Sequence, residues 1–187
     1  LDKDGMMLSS ANSINWGRLA PQIAYYISAY CDMVKSGAVK MGGRINICVP
    51  TGNFGNILAA YIAKQMGLPV NKLICASNRN NVLTDFFKKG GSYDKNRDFY
   101  TTTSPSMDIL ISSNLERLLF FASDYDDKLV ADLMDQLAKG GSYQVAADVF
   151  AKIEADFDAG CCDDAAAAQT IKALWENEHY LCDTHTA

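Results

Sequence analysis

No stretch of this sequence approaches the ~20 consecutive apolar residues that a membrane-spanning helix requires, so no transmembrane helix is expected. An excess of basic charge is missing too. The 17 Lys and Arg face 22 Asp and Glu, a formal net charge of −5, whereas a general nucleic-acid binder needs a basic face. There are six cysteines, but no Cys-x-x-Cys and no Cys/His spacing of a zinc site. Cys31, Cys48 and Cys75 lie in apolar segments, where a free thiol is expected to act as a small hydrophobe. Cys161 and Cys162 are adjacent, which suits neither a disulfide framework nor a metal. No secretory signal is visible, and the expected setting is a reducing cytoplasm. An initiator Met is lacking at Leu1 and no tail follows Thr186-Ala187, so a piece of a longer protein is expected.

What is present is core-forming material. In 187 residues, 49% are hydrophobic and 21% charged, enough apolar surface for one folded unit over 1–187. The charge is unevenly placed. Residues 1–122 hold 13 Lys or Arg and 8 Asp or Glu, while residues 123–187 hold 4 and 14. An anionic ligand is therefore expected in the first part, 1–122, and the acidic remainder, 123–187, is expected to be a set of solvated helices.

Ile14, Leu19, Ile23, Tyr26, Ile27 and Tyr30 recur at helical spacing, which predicts a helix from about Ile14 to Lys35 capped by Ser13, either kinked at Pro21 or starting nearer to it. Arg44–Val49 is a β-rich run between glycines and Pro50 and reads as a buried strand. A Gly-rich turn at 51–56 leads to an amphipathic helix from Ile57 to Met66, ended by Gly67, and Lys72–Ser77 reads as a second strand. Strand, turn, helix and strand in this order make a βαβ unit with parallel strands. The fold class is therefore α/β, a parallel sheet flanked by helices. Further helices are predicted over Val82–Lys89, Asn114–Ser123, Asp126–Lys139, Gln144–Phe157 and Asp163–Glu178, with residues 92–106 irregular. The tetrapeptide Gly-Gly-Ser-Tyr occurs at 90–93 and 140–143, each time after a Lys-ending helix, and reads as two helix C-caps.

Two segments carry candidate chemistry. Gly52-Asn53-Phe54-Gly55-Asn56, between strand and helix, can gather backbone N–H groups at a helix N-terminus and so hold an anion. It lacks the Lys of a nucleotide loop and the Gly-x-Gly-x-x-Gly of a dinucleotide site, so it suits a small terminal phosphate. An ordinary tight turn would show the same spacing. The second segment runs from Ser9 to Arg18. Asn12, Ser13 and Asn15 precede a helix there, and Arg18 can grip a carboxylate or phosphate through two parallel hydrogen bonds. A capping cluster beside a surface Arg reads equally well. His179 and His185 read as structural or solvated, and the Phe86-Phe87 and Phe120-Phe121 pairs as core. Residues Tyr100–Ser106 could border a site.

Ser10-Ala11-Asn12-Ser13-Ile14-Asn15 with Arg18, followed by Val49-Pro50-Thr51-Gly52-Asn53-Phe54-Gly55-Asn56, resembles threonine synthase of the fold type II pyridoxal-phosphate group. Asp183-Thr184-His185-Thr186-Ala187 is similar to that family's Asp-Pro-His-Thr-Ala segment, with Thr184 in place of proline. The resemblance implies part of the large domain of an enzyme that converts O-phospho-L-homoserine and water to L-threonine and phosphate. It implies that Gly52, Asn53, Phe54, Gly55 and Asn56 hold the 5′-phosphate of pyridoxal phosphate. Asn12, Ser13, Asn15 and Arg18 would lie by cofactor and substrate, with Arg18 on a substrate anion. The family's Schiff-base lysine stands in an Ala-Phe-Lys-Asp-like segment upstream. None of the 12 lysines here has that context, although Lys88 and Lys89 follow two Phe residues. The cofactor-ring partner expected after His-Thr-Ala is missing as well. A C-terminal fragment, inactive alone, is the expectation. Two alternatives share the phosphate loop: another fold type II enzyme of β-elimination or β-replacement, and a non-enzymatic α/β module for phosphate-bearing ligands.

Overall fold

A computed structural model describes residues 4–5 and 11–187. Ser9 and Ser10 of the polar segment lie outside the described residues. A three-stranded sheet organises the chain: β1 (Ile45–Pro50), β2 (Val70–Ser77) and β5 (Phe157–Cys161), in the order β1-β2-β5 and all parallel. The crossover helix α3 (Gly55–Gln65) buries Ile57, Leu58, Ala59, Ala60 and Ala63, so the predicted βαβ unit is present. Central β2 buries Leu73 and Cys75 completely on one face, while Ile74 and Ala76 on the other are half-buried.

The structure departs from the sequence reading at several places. The predicted helix from Ile14 is split into α1 (Trp16–Leu19), a 3-10 turn (Ala20–Gln22) and α2 (Ile23–Lys35). Pro21 sits at the start of the 3-10 turn, where its missing N–H is harmless. The cap is Asn15, whose side chain accepts from Gly17 N–H, not Ser13. Strand β5 begins where a helix was expected to end. Its composition, Phe-Asp-Ala-Gly-Cys, is poor in strand formers; pairing of Leu73 with Phe157 and of Cys75 with Ala159 holds it in the sheet. The acidic portion 123–187 thus contributes a core strand as well as the helices α6 (Asp127–Gly140), α7 (Ala147–Asp156) and α8 (Asp164–Glu178). Cys75 is buried, and burial pushes its thiol up to about 12. Cys31 and Cys48 are exposed, contrary to their reading as core residues.

The repeated Gly-Gly-Ser-Tyr copies pair with each other. α4 (Val82–Lys88) is capped by Lys89 just ahead of Gly90-Gly91, α6 ends at Gly140 with Gly141 as its cap, and the following β3 (Ser92–Asp94) and β4 (Ser142–Gln144) form an antiparallel ribbon. Tyr93 faces Tyr143 in register, the rings stacked at 5.1 Å and 7°. Phe86 meets both edge-on, at 6.2 and 6.5 Å, a geometry in which aromatic pairs attract beyond simple burial. Phe86 and Phe87 are core, as expected; Phe120 and Phe121, on α5 (Leu115–Ala122), are only half-buried.

Gly91 makes this junction possible. Its φ is +84°, and an added Cβ would stand 2.8 Å from Phe150 Cδ2 and 2.9 Å from Val145 Cβ. Gly91→Ala is expected to destabilise by more than about 1 kcal/mol, read as a lower denaturant midpoint with an unchanged slope.

Candidate functional site

β1 delivers the chain at Pro50 into the turn Thr51–Phe54, and α3 starts at Gly55. Phe54 is the N-cap, in the left-handed region with φ 65° and ψ 2°, and it makes no side-chain cap. Its ring is 1% exposed and lies 6.2 Å from Phe87 and 5.8 Å from Phe157. A left-handed Phe costs roughly 1–2 kcal/mol, and the buried ring holds it there. The loop's carbonyl oxygens are taken up behind it. Gly52 O accepts from Ser112 Oγ at 2.8 Å and Asn53 O from Asn114 N at 3.1 Å and Nδ2 at 2.8 Å. Asn56 O accepts from Tyr26 Oη at 2.9 Å. Burial pushes the Tyr26 phenol up to about 12, so it remains a donor. By contrast, no backbone N–H from Gly52 to Ile57 donates to an acceptor among the described residues. These groups lie at an open cleft of about 480 Å³.

Ser13 and Arg18 line the same cleft, with Gln22, Ser106, Asp183 and His185. The polar segment is thus brought against the loop. Within it, Asn12 and Asn15 serve the local backbone: Asn12 Oδ1 accepts from Ile14 N–H at 3.1 Å and Asn15 Oδ1 from Gly17 N–H at 2.8 Å. Arg18 Nη1 donates to Ala11 O at 3.1 Å. A second cavity of about 250 Å³ adjoins the cleft and shares Pro50, Met107, His185 and Thr186 with it. It opens where β1, β2 and β5 end, between Cys48, Ser77 and Cys161, the usual place for a ligand in an open parallel sheet. Ser77 Oγ is buried there without a hydrogen-bond partner. Partial burial raises the Cys48 thiol, and the carboxylates of Asp163 and Asp164 also line this cavity.

The wall between the two cavities is the 3-10 turn Pro105–Met107. It touches the loop so closely that a Cβ on Gly52 would stand 2.5 Å from Ser106 O. Asp108 secures it. Asp108 Oδ1 accepts from Asn78 Nδ2 at 2.8 Å, Asn80 Nδ2 at 2.9 Å and Thr102 Oγ1 at 2.8 Å, and Oδ2 accepts from Thr102 N–H at 3.0 Å. His185 closes the wall: its Nε2 accepts from Ser106 N–H at 3.3 Å, and its backbone N–H donates to Asp183 Oδ1 at 2.8 Å. Hydrogen bonds from the Thr186 hydroxyl and the His185 N–H hold Asp183 below the usual carboxylate range. His185, read from the sequence as structural or solvated, has a structural place here; Ser112, Asn114 and Asp108 were not singled out, and no spacing links them to the loop. Of residues Tyr100–Ser106, Ser104 lines the inner cavity and Ser106 the cleft.

No family model matches the chain. It is 47% identical over 183 residues to Threonine synthase-like 1 of Macaca fascicularis, covering 98% of this chain and 25% of that protein. It is 40% identical over 186 residues to threonine synthase of Pseudomonas aeruginosa, covering 98% and 38%. The PLP-bound threonine synthase from Brucella melitensis matches the structure with a TM-score of 0.90 at 41% identity, over 97% of this chain and 38% of that one. Yeast threonine synthase matches with a TM-score of 0.85 at 36% identity, over 93% and 36%. The chain is a homologue of the threonine synthases. It spans about a quarter of the length of the Threonine synthase-like 1 relatives and a little over a third of the threonine synthases. The parallel α/β fold matches the expectation for that family. Among the described residues, no helix is long and apolar enough to cross a membrane, and no group of His, Cys, Asp and Glu could hold a metal ion.

Asp108 gives the site a pH limit. Burial pushes its carboxyl up, but the bonds from Thr102, Asn78 and Asn80 outweigh this and leave it lowered. A carboxylate lowered on folding stabilises fully above the unfolded value of about 4 and loses that contribution as pH falls through the folded value. Asp108→Asn is expected to cost about 1–3 kcal/mol at pH 7 and to flatten the acid limb of a stability–pH curve.

Proposed function

We propose that this chain is the portion of a pyridoxal-phosphate-dependent threonine synthase that holds the cofactor's phosphate, the whole protein converting O-phospho-L-homoserine and water to L-threonine and phosphate. The observation that carries this reading is the free row of N–H groups from Gly52 to Ile57, with the loop's carbonyls anchored on the far side. The residues fit the group. The loop contains no carboxylate, it opens the positive end of an 11-residue helix, and backbone donors suit a phosphate there. Gly52, Asn53, Phe54, Gly55 and Asn56 would hold the phosphate, and the adjoining apolar cavity would take the ring. Arg18 would meet a substrate anion, with Asn12, Ser13 and Asn15 shaping the backbone beside it. When bound, pyridoxal phosphate supplies an electron sink for negative charge developing on the substrate carbon.

This chain's share of the work is binding, orienting and excluding water. The Pro105–Met107 turn and His185 wall the site, and Pro50, Ala76 and Met107 give the inner cavity apolar surface. No lysine among the described residues lines either cavity. Lys88 pairs with Asp158 at 2.6 Å and Lys89 with Asp85 at 3.1 Å, both on the surface. The reading therefore assigns the Schiff-base lysine to a part of the enzyme outside this chain, and a cytoplasmic biosynthetic setting goes with it. Identity is higher to Threonine synthase-like 1 (47%) than to the Pseudomonas aeruginosa threonine synthase (40%). Because the first of these is named only as threonine synthase-like, a second reading stands beside the first: another fold type II enzyme of β-elimination or β-replacement, whose site would release phosphate without forming threonine.

Pyridoxal phosphate added to this chain is expected to slow hydrogen exchange of amides 52–57. Gly52→Ala, which drives a Cβ against Ser106 O, is expected to weaken binding at least ~10-fold, or ~1.4 kcal/mol. Unchanged exchange at 52–57 in the wild-type chain would sink the loop assignment. With the whole enzyme and O-phosphohomoserine, phosphate and threonine released in equal amounts support the first reading, and phosphate without threonine the second.

A further inference from the structure

A loop can turn its N–H groups toward a ligand only if its carbonyl oxygens are satisfied elsewhere. In this chain one side chain satisfies carbonyls from both candidate segments. Asn114 is fully buried. Its Nδ2 donates to Asn53 O at 2.8 Å, across 61 residues, and to Ser13 O at 3.0 Å, across 101 residues. Its backbone N–H donates to Asn53 O as well, at 3.1 Å. Its Oδ1 accepts from Arg117 Nη1 at 2.6 Å, and Arg117 Nη2 donates to Ile14 O at 2.6 Å. Gly55 lies against this cluster: a Cβ there would meet Asn114 Nδ2 at 3.5 Å and Ser13 O at 3.7 Å, ordinary contact distances.

Asn114 is also the N-cap of α5, a position where an Asn side chain ordinarily accepts from its own helix and stabilises it by about 1 kcal/mol. It makes no such bond. Local helix stability is given up for bonds to two distant segments. Such a departure from local preference is common where a site must be held in shape.

We propose that Asn114, oriented by Arg117, is a positioning residue that fixes the spacing between the Asn12–Arg18 segment and the Gly52–Asn56 loop. The backbone donors and the Arg18 guanidinium then face one ligand assembly. Asn114 touches no ligand itself. It acts through Asn53 O and Ser13 O, with Arg117 holding the amide so that Nδ2 points at both. The proposal rests on the phosphate-loop reading for its ligand, but its geometry can be tested without one.

The experiment uses this chain labelled with nitrogen-15, with inorganic phosphate and pyridoxal phosphate as probes, on wild type, Asn114→Ala, Asn114→Asp and Arg117→Met. Asn114→Asp keeps the size and the acceptor for Arg117 but removes the donor to Asn53 O and Ser13 O. Both Asn114 variants are expected to bind pyridoxal phosphate at least about tenfold more weakly. Their amide shift changes should gather at residues 12–18 and 52–57, with cooperative unfolding retained. A structural role carried by the Arg117 contact alone would be rescued by Asn114→Asp; wild-type affinity in that variant overturns the proposal. If the Asn114 variants do not fold, Arg117→Met decides. It should weaken binding about threefold with shifts in the same two segments, and wild-type affinity again overturns the proposal. If the wild-type chain binds neither probe, the phosphate reading fails on its own. The clamp is then judged by shifts alone: confinement to the two segments supports it, and their absence or spread through the sheet overturns it.

Discussion

Every helix start leaves its first N–H groups without partners in the helix, and here the backbone that aims them at the cleft turns at Phe54. Its left-handed conformation ends the Thr51–Phe54 turn and sets the chain into α3. Glycine would adopt it at no steric cost, yet glycine would supply nothing to hold it. The Phe54 ring, seated between Phe87 and Phe157, links the strained residue to the core of α4 and β5. The geometry of the site and the burial of the core are therefore the same interaction. Loss of packing around Phe157 would relax the loop before it touched any group facing the cleft.

The parts legible in the sequence were those set by short-range signals. Alternation and punctuation marked β1, α3 and β2, and the glycines of 52–56 marked the turn, because strand, turn and helix there are consecutive. Pro21 marked a break correctly but not its form, a 3-10 turn that lets the chain bend without losing hydrogen bonding. What was hidden depends on partners far along the chain. Phe157–Cys161 has no strand signature of its own and becomes a strand only beside β2. The two Gly-Gly-Ser-Tyr copies gave away their helix ends but not their mutual pairing, since identical tetrapeptides also arise from identical caps. Asn114 and Ser112 donate to backbone carbonyls of the loop, and Asp108 accepts from Asn78, Asn80 and Thr102; no pattern of side-chain types announces such bonds.

The site is walled on one side by a polar knot and on the other by the aromatic core. Asn78 and Asn80, just beyond β2, share the Asp108 carboxylate with Thr102. Thr103 N–H and hydroxyl reach Asp164 at the start of α8. Three chain segments converge there on charge-assisted bonds that need no bound ligand. The cavity between the strand ends is thus pre-shaped, and binding would require little ordering of this wall.

The order in which the sheet closes has its own consequence. β1 and β2 meet across a single helix, whereas β5 waits for every element between Ser77 and Phe157 to be made and placed. Loop-closure entropy favours the nearer pairing in time. As the chain leaves the ribosome, the βαβ unit can form early, while Ser112 and Asn114, which brace its turn, emerge only after β2 is complete. For that interval the Gly52–Asn56 turn exists without its backing. The phosphate binding proposed for it would then arrive late and all at once, when the distant strand docks and the brace closes behind it.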